Sequence, residues 1–139
     1  MSTTRRTFIA AAAATAIANQ TLSTQAGAAA AVNNYPKLVH HVFFWLKNPS
    51  SKEDLTKLLK GLSTLAQIET VRGAHFGVPA STEKRDVVDN SYSASEILFF
   101  DDTAGQKTYQ DHPIHKKFVE ECSQLWERVV VYDVMAASG

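Results

Sequence analysis

Apolar and polar positions follow two different rhythms along this chain. In "KLVHHVFFWLK" (37–47) they alternate with period two, which predicts a strand with faces Leu38, His40, Val42, Phe44, Leu46 and Val39, His41, Phe43, Trp45. Both faces are mostly apolar, and a strand of that kind is covered on both sides. In "NPSSKEDLTKLLKGLSTLAQI" (48–68) the spacing changes. Leu55, Leu58, Leu59, Leu62, Leu65 and Ala66 recur at helical intervals with lysines opposite, and Ser50 and Glu53 have the spacing of a capping box. "VRGAHFGVP" (71–79) returns to a strand, its glycines marking a bulge or a close backbone approach. "ASTEKRDVVDN" (80–90) is a charged loop, and "YSASEILFF" (92–100) is a third strand.

A short helix is expected from Thr103, which has capping spacing to Gln106. Pro113 disfavours helical backbone at His112 and suits the first turn of a new helix, so the chain breaks at His112 and restarts as "PIHKKFVEECSQLWERV". "VVVYDVM" (129–135) is the last strand. The order β-α-β-β-α-β, without repeats, is the ferredoxin-like pattern of the α+β class. Its helices cover one face of the sheet only. A second copy of the chain is the expected cover for the other, giving a homodimer.

The first thirty or so residues stand outside this pattern. "MSTTRRTFIAAAAATAIANQ" joins Arg5 and Arg6 to an alanine-rich apolar run too short to span a bilayer, and Ala26-Gly27-Ala28 reads as a cleavage site. Residues 1–31 are therefore expected to be a removable export signal, and "TRRTFI" resembles its twin-arginine form. That resemblance implies a folded bacterial protein sent to the periplasm or beyond, with residues 32–139 as its single domain. The 14 basic and 14 acidic side chains of the whole chain balance, and loss of the signal leaves the domain slightly acidic. Without a basic face, nucleic acid is not an expected partner. Nor is a membrane once the signal is gone. Cys122 is the single cysteine, so no internal disulfide forms and packing must supply the stability.

Candidate chemistry lies in "YQDHPIHKKF" (109–118). His115, Phe118, Val119, Cys122 and Trp126 form one helical stripe facing the sheet, so His115 is an inward imidazole in a first helical turn. The positive end of the helix dipole favours its neutral form, which is what a general base requires. Tyr109 is positioned to bring a phenol to the same pocket. An inward histidine more often satisfies a backbone carbonyl, and a tyrosine at a helix end more often packs, than either performs chemistry. Four histidines, His40, His41, His75 and His115, raise the question of a metal. Adjacent strand residues point to opposite faces, so His40 and His41 do not share an ion easily, and no metal site is expected.

"HVFFWLK", "GAHFG", "YQDHPIHKKF" and "VVVYDVM", in this order, resemble the stress-responsive A/B barrel domain (Dabb) family from Lys37 to Met135. The resemblance implies a ferredoxin-like dimeric α/β barrel with its sheets packed together. It also implies a relation to enzymes of small apolar carbonyl compounds, a polyketide cyclase and a hydroxynitrile lyase among them. In cyclase-type members the second histidine and the tyrosine of the motif perform acid–base work, which here are His115 and Tyr109. The family's strand histidine matches His41, with His40 as an extra. Ser93 and Ala94 stand where relatives carry a larger polar residue, so no third polar partner is expected in the pocket. Two functions follow as alternatives: a lyase or cyclase-type enzyme that needs no cofactor, acting on a small apolar or aromatic carbonyl compound, or a non-catalytic ligand-binding or stress-related module. An oxygen-using relative of the same superfold is a third, for which no cofactor motif is found.

Overall fold

The computed structural model describes residues 35–137. The expected signal and its cleavage region fall outside the described residues. The elements are β1 (Leu38–Leu46), α1 (Lys52–Thr64), β2 (Gly73–Gly77), β3 (Ala94–Phe100), α2 (Thr103–Asp111), α3 (Pro113–Cys122) and β4 (Trp126–Met135), with 3-10 turns at Leu65–Gln67 and Ser123–Leu125. The four strands form one antiparallel sheet in the order β2-β3-β1-β4. This is the ferredoxin-like α+β fold expected from the pattern. Among the described residues no helix is long and apolar enough to cross a membrane.

The central strand explains the layering. Leu38, His40, Val42, Phe44 and Leu46 of β1 are all buried on the helix side. Leu58, Leu62 and Leu65 from α1 and its 3-10 turn, with Phe118 and Cys122 from α3, are buried in the same core. Each buried leucine or phenylalanine contributes about 1.5–3 kcal/mol relative to exposure. Gly61 lets the two helices approach: a Cβ built there would stand 2.6 Å from the Cys122 sulfur.

The opposite face of β1 is only half-buried. It carries a run of aromatics, with the His41 and Phe43 rings 4.2 Å apart and Phe43 edge-on to Tyr92 at 4.9 Å. Arg128 lies over the Trp45 ring at 4.4 Å. Among the described residues no helix covers this side, as the one-sided layering predicted.

Several boundaries differ from expectation. Ser51, not Ser50, caps α1 by accepting from the Asp54 amide at 3.1 Å. Asp102, not Thr103, caps α2 by accepting from the Gly105 amide at 2.7 Å. In both places the residue with extended backbone takes the cap, and its side chain reaches three residues ahead. The glycines of β2 make no bulge: pairing with β3 is continuous from Gly73 to Gly77, and Gly73 instead makes room for the Phe99 ring. Trp126 does not extend the stripe of α3, because the 3-10 turn ends the helix and Trp126 opens β4.

Candidate functional site

The break at His112 creates the corner on which the site is built. His112 has extended backbone, ends α2 and caps α3, and its Nδ1 accepts from the Ile114 amide at 3.1 Å. An accepting Nδ1 places the ring proton on Nε2, which lies 3.2 Å from the Glu69 carboxylate. Pro113 takes the first helical position, where its missing N–H costs nothing. The corner brings Tyr109, in the last turn of α2, against His115, in the first turn of α3. Their ring centroids are 4.8 Å apart.

Both side chains line a cavity of about 180 Å³ between the helices and the sheet. Its walls are Val42, Phe44, Phe118 and Trp126, with Val129 and Val131 of β4 along its open side. A hollow of about 280 Å³ under the loop from Thr82 to Asn90 is larger, but its walls include the exposed charged side chains of Glu83, Lys84, Arg85 and Asp86. The smaller cavity is the chemical candidate, because it combines apolar walls with a few convergent polar groups.

Those polar groups are His40, Glu96, Tyr109 and His115, with the exposed Gln110 at the edge. Burial lowers the pKa of His115, with a hydrogen bond to the Gln110 backbone pulling the other way. Burial therefore biases the imidazole toward its neutral form. Tyr109 is fully buried, and burial followed by the neighbouring Glu96 charge raises its pKa, so it remains a phenol and is not itself a base. Its hydroxyl donates to Glu96 Oε1 at 3.3 Å.

Of the three site residues read from the sequence, the fold brings Tyr109 and His115 together. It does not bring His41 to them. His41 points to the open sheet face, where its ring nitrogen bonds the Ser95 hydroxyl at 2.9 Å and its pKa is lowered by burial and by His75. The strand histidine at the cavity is His40, previously the extra one, whose ring lies 5.5 Å from that of Tyr109. Its Nδ1 meets Asp133 Oδ1 at 2.5 Å across the directly paired strands β1 and β4. A carboxylate accepts, so Nδ1 carries the proton, and Nε2 faces inward, 3.9 Å from Glu96.

Glu96 corrects a second expectation. The cavity does have a further polar partner, although Ser93 and Ala94 do not supply it. Glu96 is 2% exposed, and burial pushes its pKa up to about 8. Alternation was the available signal: Ala94, Glu96, Leu98 and Phe100 share the buried face of β3. Among the described residues no group of three or more His, Cys, Asp or Glu side chains is placed to hold a metal ion.

Fold and cavity together define a ferredoxin-like α+β protein with a small, mainly apolar cavity, open along β4, whose wall includes His40, Glu96, Tyr109 and His115. The chain belongs to the stress responsive A/B barrel domain (Dabb) family, whose pattern matches residues 38–136. It is 27% identical over 90 residues to a stress-response A/B barrel domain-containing protein of Arabidopsis thaliana, covering 63% of this chain and 79% of that one. Among solved structures it resembles the hydroxynitrile lyase from Passiflora edulis, with a TM-score of 0.62 and 19% identity, over 75% of this chain and 97% of the other. It also resembles a dimeric ferredoxin-like protein from Thermobifida fusca, with a TM-score of 0.57 and 19% identity, over 72% of this chain and 92% of the other.

Proposed function

We propose that this cavity performs acid–base chemistry on a small apolar or aromatic carbonyl compound, of the lyase or cyclase type and without a cofactor. The observation that carries the reading is a histidine biased toward neutrality, His115, tilted against a buried phenol, Tyr109, in the wall of a mainly apolar cavity. In this reading His115 takes a proton from the bound compound and returns it later. Tyr109 orients the reacting oxygen. His40, held by Asp133, adds a second inward nitrogen. The structural likeness to a hydroxynitrile lyase supports the reaction class. Likeness to a dimeric ferredoxin-like protein supports a second copy of the chain as the cover of the open sheet face.

The alternative is a ligand-binding module without turnover. One observation favours it: the Tyr109 hydroxyl already donates within the protein. Small aromatic and aliphatic carbonyl compounds, screened by thermal shift and then for turnover on wild type, His115→Ala and Tyr109→Phe, separate the two. A general base predicts a loss on the order of 10² to 10⁴ in turnover for His115→Ala with the fold intact. Ligands that stabilise all three proteins equally, with no turnover in any, would establish the binding module.

A further inference from the structure

Glu96 uses only half of its hydrogen-bonding capacity. Its Oε1 accepts from Tyr109, while its Oε2 is buried and has no partner among the described residues. Leaving such an atom without a partner costs about 1–3 kcal/mol. The charged and titratable groups facing the carboxyl are His40 from β1, Tyr109 from α2, His115 from α3 and Asp133 from β4, the last engaged with His40. Among the described residues no lysine or arginine lines the cavity to hold a carboxylate there. Burial accordingly keeps the group in its acid form at neutral pH. Since Oε1 already accepts from the phenol, the acid proton belongs on Oε2.

We propose that the Glu96 Oε2–H is the anchoring donor of this cavity, and that it selects ligands with a neutral acceptor oxygen, a carbonyl, attached to an apolar body of about ring size. The cavity volume fits that body, since an apolar protein cavity of ~150 Å³ holds benzene. The oxygen would complete the orphaned donor while the ring lies against Val42, Phe44, Phe118 and Trp126. This rests on the reading of the cavity given above and identifies the atom by which it recognises its ligand.

Three compounds of nearly equal shape test it: acetophenone, cumene and 1-phenylethylamine, titrated calorimetrically into the full chain and its Glu96→Gln and Glu96→Leu variants at pH 6.5. Acetophenone should bind wild type about 10- to 100-fold more tightly than cumene, the range expected for completing one buried hydrogen bond. Glu96→Gln, which keeps an N–H donor, should retain part of that preference. Glu96→Leu should erase it by weakening acetophenone while cumene binds as well or better. Equal binding of acetophenone and cumene to wild type would overturn the proposal. So would a preference that survives in Glu96→Leu, tightest binding of the amine, or failure of all three compounds to bind. Turnover is read separately. A preference erased in Glu96→Leu with no turnover in any protein removes the catalytic reading and leaves the anchor. Turnover lost in His115→Ala, beside a preference indifferent to Glu96, does the reverse.

Discussion

Raising the pH should weaken this fold through Glu96. The folded state holds a proton on that carboxyl up to about pH 8, whereas an unfolded chain releases it near the ordinary 4.5. A raised acid contributes stability that is full below the unfolded value and is lost as pH climbs to the folded one. The gap, at about 1.36 kcal/mol per pH unit, sets a ceiling of ~5 kcal/mol. Relaxation of the cavity and water entering past Val129 and Val131 reduce the penalty, so we expect ~2–3 kcal/mol between pH 5 and pH 8. The assay is urea unfolding at pH 5, 6.5 and 8, at fixed protein concentration because subunit association would add its own term. Wild type is compared with Glu96→Gln, which stays neutral throughout. Glu96→Gln should gain on wild type steadily as pH rises. A difference constant to within about 0.5 kcal/mol from pH 5 to pH 8 would refute the account, because Glu96 would then ionise as freely in the fold as outside it.

Gly61→Ala should destabilise the protein by ~1–2 kcal/mol in thermal melts, because its Cβ meets the Cys122 sulfur at 2.6 Å and the Phe118 ring at 3.1 Å, outweighing the helix propensity gained. Adding Cys122→Ala should recover most of the loss, and a double variant no better than the single one would show that the contact is not the cause. On the open sheet face, Phe43→Glu should convert a micromolar dimer into a monomer by sedimentation with secondary structure unchanged. A wild type that already sediments as a monomer would remove the second subunit from the reading.

The fold was legible because β1 announces its alternation and α1 its heptad-like leucines, and because Pro113 fixes where one helix must yield to the next. Helix starts were harder. Ser50 and Ser51, or Asp102 and Thr103, are adjacent residues able to cap, and only the backbone decides which is extended enough to do so. Tyr109 and His115 were within reach of sequence reasoning since they flank a break that dictates its own geometry. Motif matching favours His41, whereas the alternation of β1 places His40 with the buried Leu38 and Val42. Glu96 escaped notice because a charged residue in a strand is ordinarily assigned to solvent. Asp133 was out of reach altogether, since its partnership with His40 is a matter of register between strands 93 residues apart.

The corner at His112 has a consequence for how this protein tolerates change. An imidazole cap and a proline ring set the separation of Tyr109 from His115, and neither depends on the outer surfaces of the helices they join. Exposed lysines such as Lys107, Lys116 and Lys117 can therefore drift in sequence without retuning the pair. His112 and Pro113 have no such licence. A replacement there moves the phenol relative to the imidazole, because each is carried by a different helix leaving that corner. Selection for chemistry would then weigh most heavily on two residues that shape backbone and need never meet the ligand.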